Sequence, residues 1–268
     1  MRGRKGMTMS VPSLHYYLLG EGVKAFSTMR RGGCSEGCYG QFNINPYCGD
    51  SEEAVRRNRE SLCQLLGIDN DRLLMPHQVH RTEIAIVDED LLLCPTEKLE
   101  GVDALMTELH GVCIGVSTAD CIPVLLFDKV HRAVCAIHAG WRGTVQRIVE
   151  KAIGRMAAVY GTRPEDVIAQ TGPGISLDSF EVGDEVYDAF AEEGFQMEAI
   201  SRKYVAAIGE KWHIDLSECN RRQLMSAGVP SENIAVSPVC TFKQHDAYFS
   251  ARRLGIHSGR IFTGILLL

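Results

Sequence analysis

The stretch STADCIPVLLFDKVHRAVCAIHAGWRGT, Ser117 to Thr144, contains two short apolar runs, each next to a chemically reactive side chain. Cys121 lies at the end of the first run and His138 at the end of the second. Continuous apolar runs of this length are typical of strands that are buried on both faces. Cys121 and His138 therefore either fill the core near the rim of a sheet or converge on a functional site.

Similar apolar runs recur along the chain and predict a strand-rich protein. Most of them are continuous rather than alternating, which favours strands covered on both faces. The runs within 102–138 follow each other too closely to leave room for helices, so hairpins and a mixed sheet are expected there. The predicted strands are 83–88, 102–107, 111–117, 122–128, 132–138, 166–172, 233–239 and 260–268.

Helices are fewer, and capping residues mark their ends. In the first predicted helix, Asp50 is the N-cap, Glu53 completes a capping box and Gly67 ends the helix. In the second, an apolar stripe runs from a Thr144 cap to Gly161. The predicted helices are 50–67, 144–161, 181–194 and 215–228. With the strands, they predict one α/β (α+β) domain with a mixed sheet over 13–268, after an N-terminal tail at 1–12.

The composition limits the classes of function. Of the 268 residues, 45% are hydrophobic and 23% are charged, as expected of a globular protein that buries a large core. The net charge of −6 and the lack of a long basic run argue against nucleic acid or an anionic membrane surface as a partner. No apolar stretch reaches the roughly 20 residues that span a bilayer, and the first residues do not resemble a signal peptide.

The cysteines indicate a reduced protein, which we expect in the cytoplasm. The ten cysteines are spread along the chain without a C-x-x-C pair, so neither a zinc knuckle nor a thioredoxin motif is predicted. Cys113 and Cys135 lie within apolar runs, where a small thiol packs well. The common dinucleotide, P-loop, serine-hydrolase, zincin and cytidine-deaminase motifs are absent as well.

Candidate metal ligands stand next to three predicted strands. His77 and His80 lie in PHQVH, Cys121 in TADC and His138 in IHAGWRG. Ligands so far apart in sequence are unlike those of a zinc finger and suit a catalytic site assembled from several strand ends. Two imidazoles and a thiolate can hold zinc tetrahedrally and leave one position open. The spacing does not distinguish His77 from His80, and each of these residues taken singly is more often a packed or rim residue than a ligand.

Two further segments offer groups that bind anions or polar substrates. HAGWRGT leads from a strand into a helix, where backbone N–H groups beside Arg142 form a natural anion site. A tight glycine turn, with Arg142 paired to a surface carboxylate, explains the same residues equally well. A polar, glycine-rich segment near the N-terminus carries Arg30, Arg31, Asn43 and Asn45, which either orient a polar substrate or belong to an ordinary surface loop.

The sequence resembles the multicopper polyphenol oxidase family of laccase-domain proteins, whose members are also described as purine nucleoside phosphorylases with adenosine deaminase activity. TADC and HAGWRGT together are highly specific for this family. The resemblance implies a mixed β-sheet sandwich flanked by helices, a fold shared with toxin-type cysteine deamidases. The shared motifs, in family order from about residue 26 to the C-terminus, are TMRRGG…FNINPYCGD, PHQVH, VDALMT, STADCIPVLLFD, AIHAGWRGT, GPGISLDSFEVGDEV and CTFKQHDAYFSARRLGIHSGR.

The resemblance also implies roles for particular residues. The family's metal ligands fall on His80, Cys121 and His138, which are then both catalytic and metal-binding, with zinc or copper as the metal. The family's site arginine and asparagine fall on Arg30 and Asn43, as catalytic and substrate-binding residues. Arg142 joins Arg30 and Asn43 as a candidate phosphate ligand.

The chain departs from the family pattern at three positions. Gly174 replaces the usual cysteine of G-P-C-I, Leu254 replaces the aspartate of R-R-D-G, and Asn45 replaces a glycine. None of these positions belongs to the implied ligand set. The departures bear on substrate preference and on any role of the missing cysteine.

We therefore expect a zinc-dependent purine nucleoside enzyme whose partners are a nucleoside and phosphate. It would convert adenosine, inosine and 5′-methylthioadenosine to the free base and (methylthio)ribose 1-phosphate, and would also deaminate adenosine. One alternative is copper-dependent phenol oxidation, which nine histidines without an H-x-H pair disfavour. Another is a cysteine hydrolase using Cys121 and His138, including cell-wall precursor editing. The last is a binding module without catalysis.

Overall fold

The two apolar runs of the opening stretch form the centre of a six-stranded sheet. They fold into the antiparallel strands β7 (Ile122–Asp128) and β8 (Ala133–Ala139), and every residue of both strands is buried. Neighbouring side chains of a strand point to opposite faces. Val124 therefore packs beneath the helices, whereas Leu125 packs towards the second sheet. Coverage of both faces explains why these runs are continuously apolar.

The structure is a computed structural model, and it describes residues 11–94, 98–205 and 209–268. The predicted tail, 1–12, falls almost entirely outside these residues. The remaining strands are β1 (Leu14–Tyr17), β2 (Val23–Thr28), β3 (Leu73–Leu74), β4 (Ile84–Ile86), β5 (Ala104–Thr107), β6 (Cys113–Thr118), β9 (Val167–Thr171), β10 (Glu181–Val182), β11 (Ser201–Val205), β12 (Glu210–Ile214), β13 (Ile234–Ala235) and β14 (Ile261–Leu267).

The strands of the described residues form three sheets. A five-stranded sheet has the order β1-β2-β14-β6-β3, a six-stranded sheet has the order β13-β9-β7-β8-β5-β4, and a small sheet has the order β10-β12-β11. Parallel and antiparallel pairs occur in both large sheets: β3 pairs with β6 and β4 with β5 in parallel, whereas β14 lies antiparallel to both β2 and β6. The prediction of a mixed sheet is confirmed.

Helices cover the outer faces of a two-sheet sandwich. Ile114 and Ile265 of the five-stranded sheet meet Leu125 of the six-stranded sheet in the core between the sheets. Leu62 of the first helix packs on the outside of the five-stranded sheet, and Met156 packs on the outside of the six-stranded sheet. The helices whose full extent lies within the described residues are α1 (Glu52–Leu66), α2 (Glu89–Leu93), α3 (Trp141–Val145), α4 (Ile148–Tyr160), α5 (Asp184–Glu192), α6 (Met197–Ile200), α7 (Leu216–Ser226) and α8 (Ala251–Leu254).

The start of α1 differs from the prediction by one residue. Its N-cap is Ser51, whose hydroxyl accepts a hydrogen bond from the backbone N–H of Ala54. The predicted cap, Asp50, instead accepts hydrogen bonds from Ser35 and Asn43, because its carboxylate turns into the preceding loop. The predicted end is confirmed, since Gly67 adopts the left-handed conformation with a φ of 75°.

The predicted helix 144–161 is wrong as a single helix. The chain forms two helices, α3 and α4, and Thr144 lies inside α3 rather than capping the second helix. The break falls at Arg147, which has a left-handed φ of 62°. Its side chain stacks 4.0 Å from the Phe195 ring and donates to the carbonyl of Glu193. This packing holds the break, and the end at Gly161 is confirmed.

Two strand predictions also need correction. In the predicted strand 233–239, only Ile234–Ala235 pair with a neighbour. Of the hairpins expected within 102–138, only that of β7 and β8 forms among the described residues, because β6 lies in the five-stranded sheet and its neighbours along the chain lie in the six-stranded sheet. The short helices predicted at 181–194 and 215–228 are confirmed as α5 and α7, and β10 takes the first two residues of the former range.

The cysteines form no disulfide bond in the part of the chain that the structure describes. All ten are free, and Cys113 and Cys135 are fully buried, as predicted. Within the described residues, no helix combines the length and the apolar character that crossing a membrane would require.

Candidate metal centre and active site

The predicted ligands come together where the chain passes from the five-stranded to the six-stranded sheet. We call these two connecting segments, between β3 and β4 and between β6 and β7, the crossings. His80 lies between β3 of the five-stranded sheet and β4 of the six-stranded sheet, and Cys121 lies between β6 and β7, which make the same crossing. His138 is the penultimate residue of β8. The ligand atoms of the three side chains lie within 4.8 Å of one another. The two imidazole rings meet edge to face, with centroids 4.7 Å apart.

Both crossings contain a residue in a conformation that is rare for residues other than glycine. His80 has a φ of 61°, and Asp120, next to Cys121, has a φ of 93°. Such conformations cost about 1–3 kcal/mol each and persist only where the surroundings hold them. Asp120 is held at its carboxylate, which accepts hydrogen bonds from the Thr241 hydroxyl and the Arg252 backbone N–H, both at 2.7 Å. The crossing that positions the thiol is thereby fixed.

A buried carboxylate fixes the orientation of the His138 ring. Nδ1 of His138 lies 2.7 Å from Asp103 Oδ1, and both side chains are almost fully buried. Nδ1 therefore carries the proton and donates it to this hydrogen bond, which leaves Nε2 as the atom that faces the thiol or a metal ion. Asp103 was not predicted as a site residue, although it lies in the VDALMT motif.

The charges of the site favour an ionised thiol. Burial would raise the pKa of the Cys121 thiol, but the positive charge of His138 and hydrogen bonds from His138 and His80 outweigh it and lower this pKa to about 6. Burial would lower the pKa of His138, but the Cys121 thiolate and Asp103 raise it to about 9. Without a metal, the two side chains form a thiolate–imidazolium pair, as in thiol enzymes.

The three ligands open into a cavity of about 390 Å³, a volume typical of small-molecule sites. One wall carries the Tyr47 ring, which stacks on the His77 ring with centroids 4.2 Å apart. His77 itself is not part of the ligand group, because its Nδ1 bonds the Glu100 carboxylate. Other residues of the lining are Asn45, Gln78, Ser117, Ile256, His257 and Arg260.

Arg30 and Asn43, which the family resemblance implies as site residues, lie behind the cavity rather than in its lining. The Arg30 guanidinium donates to the carbonyls of Gly40 and His245 and stacks 4.9 Å from the Phe249 ring. Asn43 is fully buried, and its amide is engaged in hydrogen bonds within the protein. Both side chains support the loop from which the cavity wall is built.

Arg142 lies outside the cavity as well. It is exposed on the five-residue helix α3, and its guanidinium stands 4.2 Å from the centre of the Trp141 ring. The cation that does line the cavity is Arg260. Its guanidinium donates to the carbonyls of Ile256, Ser258 and Gly259. Only its place in the IHSGR end of the last family motif pointed to it.

Of the three departures from the family pattern, Asn45 alone lines the cavity. Its Nδ2 donates to the Ser117 hydroxyl at 2.5 Å, and its Oδ1 accepts from the Tyr47 backbone N–H at 2.6 Å. A side chain at Gly174 would meet Ile122 and the backbone around Cys121. Asn45 therefore connects the cavity wall that carries Tyr47 to Ser117 of strand β6. Ser117 lies shortly before the segment that bears the Cys121 thiol.

The fold and the site define a class of protein: a mixed α/β sandwich with a candidate His–Cys–His metal centre in a cavity where the chain crosses between the sheets. The chain belongs to the family described as multi-copper polyphenol oxidoreductase laccase, whose model matches residues 24–268. It is similar to a purine nucleoside phosphorylase of Bacteroides thetaiotaomicron, with 49% identity over 250 residues, 91% of this chain and 92% of that protein.

Other relatives align along nearly the whole chain. The chain is 44% identical over 249 residues to "Adenosine deaminase RL5" of an unknown prokaryotic organism, which covers 91% of this chain and 94% of that protein. The crystal structure of the hypothetical protein YfiH of Bacillus licheniformis matches with a TM-score of 0.88 and 28% identity over 97% of this chain and 98% of that one. The structure of YlmD from Geobacillus stearothermophilus matches with a TM-score of 0.85 and 28% identity over 96% and 99% of the two chains. The predicted fold is confirmed.

Proposed function

We propose that this protein is a zinc-dependent enzyme of purine nucleosides, which catalyses both phosphorolysis and the deamination of adenosine. The observation that carries the proposal is the convergence of His80, Cys121 and His138 on one cavity. Relatives named purine nucleoside phosphorylase and adenosine deaminase, which align over nine-tenths of the chain, supply the substrate class. The proposed substrates are adenosine, inosine and 5′-methylthioadenosine.

The donor set fits zinc. A thiolate and two imidazoles are ligands that zinc prefers, and three protein ligands leave a fourth position for substrate or water. His138 is prepared for this role, because its bond to Asp103 directs Nε2 towards the thiol. A bound zinc ion would act as a Lewis acid and lower the pKa of water in the cavity towards neutrality.

The cavity offers surfaces suited to a nucleoside. The stacked rings of Tyr47 and His77 provide an aromatic wall against which a purine can pack. Ile256, largely exposed, adds an apolar surface to the same lining. In deamination, an oxygen from water bonds to C6 of adenosine while the C6–N bond breaks and the amino group, with added protons, leaves as ammonia.

Phosphorolysis additionally requires a place for phosphate. A phosphate oxygen bonds to C1′ as the C1′–N9 bond breaks, and the base leaves with the bonding electron pair and takes up a proton. We propose that Arg260 holds the phosphate, because it is the arginine of the lining, with His257 beside it. The other candidate phosphate ligands, Arg30 and Arg142, are not among the residues that line this cavity.

The test combines metal analysis with two assays. The wild-type protein loaded with zinc should release free base from adenosine in phosphate buffer and inosine without phosphate. Cys121→Ala should lose bound zinc and both activities, whereas Cys94→Ala, which removes an exposed thiol outside the cavity, should keep them. A wild-type protein with zinc that yields neither base nor inosine would refute the proposal.

A cysteine hydrolase is the second candidate. Cys121, His138 and Asp103 follow the order nucleophile, base and orienting carboxylate that thiol enzymes use, and the thiol has a pKa of about 6. This function predicts full activity after metal removal and its loss when iodoacetamide labels Cys121. Activity that disappears with the metal and returns with zinc would exclude it.

A further inference from the structure

One buried carboxylate collects four hydrogen bonds from the two segments that carry the imidazole ligands. Asp103 Oδ1 accepts from the His80 backbone N–H at 3.0 Å and from His138 Nδ1 at 2.7 Å. Its Oδ2 accepts from the backbone N–H groups of Val79 at 3.2 Å and Arg81 at 2.8 Å. The Asp103 side chain is completely buried, so water does not compete for these bonds.

The three backbone donors form an anion-binding nest. Val79, His80 and Arg81 are consecutive, and the left-handed φ of 61° at His80 turns their N–H groups towards one point. Nests of this kind usually hold phosphate or another anion. Here the anion is the carboxylate of Asp103, from the residue that precedes β5. The backbone conformation that presents the His80 ring therefore depends on this side chain.

Strand pairing fixes the same carboxylate against the second ligand. The backbone carbonyl of Asp103 accepts from the His138 N–H at 2.8 Å, because β5 and β8 are neighbours. The side chain then bonds the ring of the same histidine. We propose that Asp103 is the positioning residue that sets both imidazole ligands of the candidate metal site, through the backbone of His80 and through the ring of His138.

This inference rests on the metal site of the proposed function but not on the purine reaction. The inference requires that both side-chain oxygens of residue 103 accept hydrogen bonds. Each carboxylate oxygen faces two donors, so Asp103→Asn places an NH₂ group against two N–H groups in either orientation of the amide. The nest would then open, and the two rings would lose their common support.

The chain contains a matched control at the far end of β7. Asp128 is also fully buried, and it accepts hydrogen bonds from the backbone N–H groups of Val130 and His131 and from His131 Nδ1. It thus binds one nest-like turn and one imidazole, as Asp103 does, but none of these residues lines the cavity. Asp128→Asn reproduces the loss of a buried carboxylate without touching the ligands.

The experiment measures zinc affinity by chelator competition, without nucleoside, together with thermal unfolding. We expect Asp103→Asn to weaken zinc binding about 10–100-fold, the usual effect of removing a group that orients a histidine ligand. Asp128→Asn should bind zinc like the wild type. Its unfolding temperature should fall by about as much as that of Asp103→Asn. Wild-type affinity in Asp103→Asn, or an equal loss in both variants, would overturn the proposal.

A second measurement needs no variant and therefore does not depend on the folding of Asp103→Asn. Amide hydrogen exchange of the wild type, without metal, should show the N–H groups of Val79, His80 and Arg81 protected, although they lie in a loop. Rapid exchange at all three would overturn the proposal. If the wild type bound no zinc, the metal site itself would fail, and the exchange result would still decide whether Asp103 holds this loop.

Discussion

Gly140 lies against the Cys121 thiol so closely that a side chain has no room there. A Cβ atom added to Gly140 would stand 3.2 Å from Cys121 Sγ, 2.9 Å from the His80 ring and 3.6 Å from the His138 ring. The φ of −70° at Gly140 is open to any residue. Glycine is therefore required by space, because all three ligands meet at this point.

Gly140→Ala should consequently disturb the site and leave the fold intact. A methyl group would displace at least one ligand by a few tenths of an ångström, and we expect a loss of up to about 100-fold in kcat/KM for adenosine. Gly154→Ala is the control, because its methyl group meets nothing within 4 Å on α4 and should stabilise the protein by roughly 0.5–1 kcal/mol. Full activity of Gly140→Ala would contradict this packing.

The reactivity of Cys121 should follow an unusual pH profile in metal-depleted protein. Because the pKa of the thiol is lowered to about 6, the thiolate is present above that pH and is lost as the pH falls through it. Alkylation by iodoacetamide, followed at the Cys121 peptide by mass spectrometry, should be half-maximal near pH 6. His138→Ala removes the neighbouring positive charge and should move the half-point upward. A wild-type half-point near pH 9 would rule out the thiolate–imidazolium pair.

Arg260 and Arg142 make opposite predictions for phosphate. Arg260→Gln should raise the KM for phosphate at least about tenfold, because a charge-assisted hydrogen bond contributes roughly 1.5–3 kcal/mol. Adenosine deamination without phosphate should change little. Arg142→Gln should leave both reactions unchanged, since this side chain is exposed outside the cavity. A raised phosphate KM in Arg142→Gln alone would instead favour the HAGWRGT segment, which contains α3, as the phosphate site.

Substitutions of Asn45 and Asn43 should differ in their effects: we expect Asn45→Ala to raise the KM for nucleosides and Asn43→Ala to lower mainly the free energy of unfolding. Asn45→Ala removes the links to Ser117 and Tyr47, so we expect a higher KM for nucleosides and a loss of about 1 kcal/mol in the free energy of unfolding. Asn43→Ala should destabilise by about 2–3 kcal/mol, because Asn43 is fully buried and its partners, including the Arg260 N–H, would be left unpaired. Denaturant unfolding and initial rates check both. Equal effects of the two variants on KM would argue against this division.

The sequence predicts the strands well for a physical reason. Strands such as β7 are covered on both faces, so their apolar runs are continuous and easy to detect. His80, Cys121 and His138 follow from family motifs, and the structure brings them together. The break at Arg147 was missed, because it depends on contacts with Phe195 and Glu193 from a distant part of the chain.

The supporting residues were harder to predict. Asp103 acts on His80 and His138 only because β5 pairs with β8, and nothing in the VDALMT segment itself indicates which strand lies beside it. Arg30 and Arg260 both belong to family motifs and both carry a guanidinium. The sequence does not indicate which one faces the cavity, because that depends on how the loops pack around β14.

The position of β14 connects the integrity of the five-stranded sheet to the segment that carries Cys121. This strand, residues 261–267, lies between β2 and β6 in the five-stranded sheet, and it pairs with β6 up to Thr118, three residues before the Cys121 ligand. Without β14, β2 and β6 have no common neighbour in this sheet. Release of β14 from the sheet would therefore separate β2 from β6 and free the end of β6 from which the Cys121 segment starts.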